Sequence, residues 1–224
     1  MIQDSKYWYL RNHKLFEQLN EQEVADLCIV SNMKTASKNE VIYFSGIEIK
    51  KIFILKVGTV KICREDKNGR EMISEMLTEG DIFGHIGGVG SVNEYAKVLS
   101  DEVRLCYFDS ANFNGVLQKN PNLSIKYTDA LNEKLISFQQ KYEDLAFKDV
   151  NTRVHDFFKR YAKHHGKFNG KEVEMEMLLT HQDIADYTAS SRQSVTSIIN
   201  RLVENGKVVY EGRKKVVIPN IEVL

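Results

Sequence analysis

A chain of 224 residues with 42% hydrophobic and 28% charged side chains has room for one large or two small packed domains, and its composition excludes an extended disordered polymer. Its 31 basic and 31 acidic residues cancel, so no overall positive field announces a polyanionic partner. No run of about 18 apolar residues offers a membrane-spanning helix, so no membrane partner is expected. Cys28, Cys63 and Cys106 are odd in number and widely separated. They argue against a disulfide framework and a zinc site, suggest a reducing cytoplasm, and are expected as small buried residues.

The opening MIQDSKYWYLRNHKLF is too polar for a signal peptide. From about Val41 to Phe108 the chain is β-rich: VIYF, KIFILKVG and TVKICRE are short strands bounded by Gly46, Gly58 and the turn DKNGRE. Asn68-Gly69 is a hairpin signal, since this pair supplies the positive φ angles of a tight turn. The glycine-rich TEGDIFGHIGGVG follows, then another strand, VRLCYFD. Strands at this spacing predict an antiparallel sandwich or barrel-like roll. The glycine run is not a phosphate-binding P-loop, because no Gly-Lys-Ser/Thr follows it.

After Pro121 the texture changes to one long helix free of glycine and proline. Leu131, Leu135, Phe138, Tyr142 and Leu145 recur at spacings of 4, 3, 4 and 3, a heptad seam that favours pairing with a second helix. The alternative is an amphipathic helix lying on the roll of its own chain. FKDVNTRVHDFF marks a break: Asp149 caps a new helix with Val154, Phe157, Phe158 and Tyr161 on one face. His164 and His165 fall at its C-terminus, where positive charge is favoured; no metal role is expected of them. The chain is thus expected to divide into 1–147 and 148–224. From Lys148 onward it carries 13 Lys and Arg against 10 Asp and Glu, and before it 18 against 21. The mild asymmetry permits a basic face at the C-terminal end.

LLTHQDIADYTA reads as a short helix capped by Thr180, with Asp183 at the third helical position and Ile184 and Ala185 inward. Ser191 caps the next helix, and Asn205-Gly206 ends it. Two short helices joined in this way form a helix-turn-helix pattern. Val195, Ile198, Ile199 and Leu202 bury one side of the second helix. Its other side carries Arg192, Gln193, Thr196, Ser197 and Asn200, with no acidic residue from Arg192 to Val203. A helix in the DNA major groove needs such groups. Arg192 can pair with guanine and Gln193 with adenine, while short side chains allow close approach. Thr180 is counted with this face. Arg201 and the hydroxyls of Ser190 and Ser191 are placed to hold phosphates, which fix register without reading sequence. KVVYEGRKKVVI then forms a hairpin wing whose turn carries Arg213, Lys214 and Lys215.

With these elements in hand, the chain resembles the Crp/Fnr superfamily of bacterial transcription regulators over nearly its whole length. DLAFKDVNTRVHDFFKRYAK is similar to the family hinge and the helix after it, and THQDIADYTASSRQSVTSIINRLVENG to its reading unit. The resemblance implies an α+β protein. It would have an N-terminal antiparallel β-roll like a cyclic-nucleotide-binding domain, a long dimerisation helix and a C-terminal winged helix-turn-helix domain. It places Arg192, Gln193 and Ser197 at base-reading positions. Gln193 stands for the usual Glu and Ser197 for the usual Arg, which implies a different operator. Ala189 replaces a frequent turn glycine, at little cost if the backbone there suits a non-glycine residue.

The resemblance also marks a tentative effector pocket at Gly84, His85, Ile86, Lys97, Phe138 and Gln139. Cyclic AMP binders carry a Glu after the glycine for the ribose and an Arg-Ser pair for the phosphate. Here His85 follows Gly84, and VNEYAKVL has no Arg-Ser. Lys97 offers only a point charge in place of a bidentate guanidinium. A cyclic nucleotide is therefore not expected. Three scattered cysteines do not suit an iron–sulfur cluster. His85 leaves haem ligation open, although a lone histidine is more often a hydrogen-bonded pocket residue. No cofactor is named.

The sequence thus points to a homodimeric regulator that binds double-stranded DNA at a roughly palindromic operator under allosteric control by an unidentified effector, with RNA polymerase as a further possible partner. The alternative is a ligand-sensing module whose helical domain docks a protein. An enzyme is not expected, since paired carboxylates, a nucleophile elbow and a metal cluster are all missing from the sequence.

Overall fold

The computed structural model describes residues 2–44, 50–84 and 93–224; Gly46, His85 and Ile86 lie outside the described residues, as does the rest of the glycine-rich stretch after Gly84. Two compact units emerge, one of Met1–Arg70 with Ser74–Ser137, the other of Glu71–Ile73 with Phe138–Leu224.

The first unit is a roll of two antiparallel four-stranded sheets. Strands β1 (Ser31–Ser37), β2 (Val41–Phe44), β3 (Lys51–Val57), β4 (Val60–Glu65), β5 (Glu71–Leu77), β6 (Ile82–Gly84), β7 (Glu94–Val98) and β8 (Glu102–Asp109) pair in the orders β1-β8-β3-β6 and β2-β7-β4-β5. The KIFILKV run of β3 is explained by its position between two cores. Phe53 and Leu55 face the space between the sheets with Val103 and Leu105 of β8. Ile52 and Ile54 face the opposite way with Cys106 and Phe108, towards a helical layer. A strand covered on both faces loses the polar alternation of a half-exposed one. The helical layer comprises α1 (Ile2–Asn12), a 3-10 turn (Lys14–Phe16), α2 (Glu21–Val30) and α3 (Ser110–Lys119). The strand expectation did not extend to these segments. Asn20 and Glu23 form a full capping box at α2, so N-x-x-E was a usable signal there.

The β4–β5 connection differs from the expected Asn-Gly turn. Gly69 alone has positive φ, +75°, and Asn68 does not. Gly69 N–H bonds the Asp66 carbonyl at 3.1 Å, and Asp66 Oδ1 accepts from the amides of Asn68 and Arg70 at 2.8 and 2.9 Å. The turn is therefore organised by an aspartate, and a single left-handed glycine completes it.

Helix α4 (Pro121–Phe147) is the expected long helix, with Pro121 at a first-turn position where its missing N–H costs nothing. Its last turns belong to the second unit. Lys141 Nζ sits 4.1 Å from the Tyr187 ring centroid, and buried Asp144 pairs at 2.7 Å with both Arg160 and Lys148. Helix α5 (Val150–His165) is capped by Asp149, whose Oδ1 accepts from Thr152 N–H at 2.7 Å. Val154, Phe157, Phe158 and Tyr161 are buried, as their spacing requires. The expectation for His165 needs correction. Its ring stacks on Tyr161 at 4.2 Å, and burial, then His164, hold its pKa below the ordinary value, so packing outweighs the helix-end charge preference. Strands β9 (Gly166–Asn169), β10 (Glu172–Glu176), β11 (Val209–Glu211) and β12 (Lys215–Ile218) form a sheet in the order β11-β12-β10-β9, beside α6 (His181–Thr188) and α7 (Arg192–Glu204).

Candidate nucleic-acid interface

Local chemistry sets where the two helices of the helix-turn-helix begin and end. Thr180 and Asp183 make a reciprocal capping box at α6, with Thr180 N–H on Asp183 Oδ2 at 2.9 Å and Asp183 N–H on Thr180 Oγ1 at 3.1 Å. The Thr180 hydroxyl also donates to Asp183 Oδ2 at 2.6 Å, so it has no hydrogen left for a phosphate. After α6 the chain turns through Ala189 at φ +48°, ψ 57°, the left-handed region. Ser191 Oγ accepts from Ser194 N–H at 3.0 Å and starts α7. Gly206, at φ +66°, ends the helix: its N–H bonds Val203 and that of Lys207 bonds Leu202, both at 2.9 Å.

Between these caps, Val195, Ile198, Ile199 and Leu202 are buried, and Arg192, Gln193, Ser197 and Asn200 are exposed. Arg192, Gln193, Thr196, Ser197 and Asn200 line one shallow concavity on the surface of α7. Thr196 differs from its neighbours because its hydroxyl is engaged by Arg192 and by His181, the first residue of α6. Ser190 Oγ bonds Thr188 Oγ1 at 2.8 Å, and one Arg201 nitrogen is held by Asn151 Oδ1 at 2.8 Å. Arg153, which the sequence did not single out, ties the turn to the end of α4. Its guanidinium donates to the carbonyls of Lys148 at 2.6 Å, Thr188 at 2.9 Å and Ala189 at 3.3 Å. Its place one turn after the Asp149 cap was the only available cue.

The wing forms as expected, with Tyr210 opposite Val216 and Glu211 opposite Lys215. Its three cations are not equivalent. Lys214 pairs with Glu176 at 3.2 Å, and Lys215 pairs with Glu174 at 3.1 Å and Glu211 at 2.7 Å. Arg213 makes no ion pair among the described residues.

Residues 33–120 match the cyclic nucleotide-binding domain family, and residues 152–224 match the Crp-like helix-turn-helix domain family. The chain belongs to the Crp/Fnr family of transcription regulators. It is 26% identical over 189 residues to the global nitrogen regulator of Nostoc sp., spanning 83% of this chain and 84% of that one. It is 29% identical over 189 residues to the cAMP-activated global transcriptional regulator Vfr of Pseudomonas aeruginosa, spanning 81% and 86%. Among solved structures, a CooA mutant from Carboxydothermus hydrogenoformans matches with a TM-score of 0.76 at 21% identity over 96% of this chain and 95% of that one, a likeness of fold.

In this Crp/Fnr regulator Gly84 and Lys97 of the tentative effector set belong to the first unit and Phe138 and Gln139 to the second, while His85 and Ile86 lie outside the described residues. Gly84 has φ +98°, and a Cβ there would collide with the Lys51 carbonyl, so the close approach of β6 to β3 already requires glycine. Lys97 lies opposite Lys61 on β4, while Ala96 and Val98 face the inter-sheet core. Strand alternation therefore turns Lys97 away from the core between the two sheets. The inward ionisable residue of β7 is Glu94, only 6% exposed. Tyr43 Oη donates to its Oε1 at 2.9 Å, and Arg64 holds Oε2 at 3.1 Å. Phe138 and Gln139 are exposed on α4. Cys28, Cys63 and Cys106 are free and buried, as expected. Among the described residues no group of three or more His, Cys, Asp and Glu could hold a metal ion, and no helix is long and apolar enough to cross a membrane.

Proposed function

We propose that this regulator acts in the cytoplasm as a homodimer that reads a roughly palindromic operator, with residues 1–147 sensing and dimerising and residues 148–224 binding DNA. The observation that carries this reading is α7, whose apolar side is buried while Arg192, Gln193, Ser197 and Asn200 stand exposed together, with no carboxylate before Glu204. In a major groove, Arg192 matches guanine N7 and O6 and Gln193 matches adenine N6 and N7. Arg213 and the Ser191 hydroxyl supply backbone contacts. The exposed seam of α4 supplies the second chain: Leu135 and Tyr142 are 55% and 74% exposed in the single chain. A two-fold pair presents its reading helices about 34 Å apart, one turn of DNA.

The effector acts by binding two arrangements of α4, the hinge at Phe147–Asp149 and the reading unit with different affinity. Among the described residues of β7 the inward ionisable group is a carboxylate already paired with Arg64, with no guanidinium left over for a phosphate, which supports an effector other than a cyclic nucleotide. Sequences bound from a random duplex pool test the function, with binding repeated at two salt concentrations. Arg192→Ala weakens binding to the selected operator by about 1–3 kcal/mol and relaxes one base position. Unchanged binding by that variant overturns the assignment of α7. A helical domain that docks a protein instead shows no salt-dependent DNA binding.

A further inference from the structure

We propose that His181, outside the reading helix, is a positioning residue for base readout: it keeps the Thr196 hydroxyl within the protein's own hydrogen bonds, so that Thr196 meets the groove with its methyl group and selects the 5-methyl of a thymine. This role rests on the DNA-binding reading of α7 and makes it more specific.

Thr196 Oγ1 lies 2.8 Å from the Arg192 carbonyl oxygen and 2.9 Å from His181 Nδ1. A carbonyl oxygen only accepts, so the single hydroxyl hydrogen goes to Arg192. Nδ1 must then carry a proton and donate to Oγ1. The donor is well placed, because His181 opens α6 directly after its Thr180 cap, inside the Thr180–Asp183 capping box. Burial, then the charge of Arg192, hold the imidazole below its ordinary pKa, in keeping with a neutral ring protonated at Nδ1. Thr196 lines the same concavity as Arg192, Gln193, Ser197 and Asn200, and with its hydroxyl hydrogen on Arg192 and one lone pair on His181 it has no hydrogen to offer a base, while its methyl group supplies apolar surface. In the major groove a thymine offers the O4 acceptor and the C5 methyl. With no hydroxyl hydrogen to give O4, Thr196 matches the methyl by apolar contact.

The test uses the full chain, its selected operator, and duplexes in which each thymine of a half-site is replaced in turn by uracil, which removes only the 5-methyl. Fluorescence anisotropy should find one position, repeated in both half-sites, where uracil weakens binding about three- to fivefold, the effect of one methyl group taken out of contact. Thr196→Ser, which keeps the hydroxyl and loses the methyl, binds the two duplexes alike. Thr196→Val, which keeps a methyl and loses the hydroxyl, stays within about twofold of the parent on the thymine operator and retains the preference. His181→Ala removes the bond that holds Oγ1 on the protein side, leaves only the Arg192 carbonyl to fix the Thr196 rotamer, and erodes the preference. Indifference to uracil at every position, or loss of the operator by Thr196→Val but not by Thr196→Ser, overturns the role of Thr196. A preference left intact in His181→Ala overturns that of His181. In these cases a weakened Arg192→Ala leaves the DNA-binding reading standing. A parent protein that binds no duplex overturns both.

Discussion

Ala189 holds φ +48° between α6 and α7, a backbone conformation that costs an alanine about 1–2 kcal/mol. The sequence suggested little cost, because a non-glycine residue conceals the angle the turn imposes on it. Ala189→Gly is expected to raise stability by about 0.5–1 kcal/mol after the extra backbone entropy of glycine is counted, read as a higher urea midpoint. A lower midpoint contradicts the left-handed turn. His13 is a second case. Its Nδ1 accepts from Leu15 N–H at 3.2 Å, so Nε2 donates to the Gly80 carbonyl at 3.0 Å and the ring is neutral. Burial pushes its pKa below 6.5, although the Gly80 bond and Asp81 pull upward. The unfolded chain therefore binds the proton first. Below about pH 6.5 stability falls with pH, until the folded His13 also protonates. His165 and His181 shift in the same direction. Denaturation midpoints should fall from pH 7 to pH 5.5, and His13→Gln should flatten part of that slope.

Helix α4 carries two different chemistries along its length. Leu131, Leu135, Phe138, Tyr142 and Leu145 are exposed in the single chain, which is what an unpartnered seam leaves behind. Leu135→Glu removes apolar contact from a dimer and costs the isolated chain little. Light scattering should report a monomer with an intact thermal transition, and a dimer of unchanged affinity would contradict the seam. Asp144, on the same helix, is 2% exposed. Burial pushes its carboxyl up, but hydrogen bonds from Lys148 and Arg160 outweigh this and hold it below the ordinary aspartate value. Its contribution is present above that ordinary value and is lost as pH falls through the folded pKa. Asp144→Ala leaves Arg160 without its ion-pair partner and Lys148 with Asp156 alone, and should cost about 1–3 kcal/mol, less than a fully buried pair because both cations are partly exposed. The seam is readable from a seven-residue period. Asp144 looks in sequence like any surface charge on a helix with a lysine at i+4, since Arg160, the second partner, comes from beyond the hinge.

At the scale of the whole molecule, zero net charge and DNA binding are reconciled by local arrangement. Glu211 of the wing and Glu174 and Glu176 of β10 pair with Lys214 and Lys215 and partly cancel them, while Arg213 and the face of α7 remain open. Arg213→Ala should weaken binding to all duplexes alike and reduce the slope of log K against log salt by about one, whereas Lys214→Ala should change it less. An equal loss for the two variants would place both wing cations on phosphate.

Short-range chemistry on the chain already determined the roll of short strands, the long helix, the Asp149, Thr180 and Ser191 caps, and both faces of α7. Each depends on a period or on neighbours within about four residues. Two features were decided only by the tertiary structure: the ion-paired lysines of the wing and the Thr196 hydroxyl drawn to His181. Each depends on a partner from another element, whose approach no local pattern encodes.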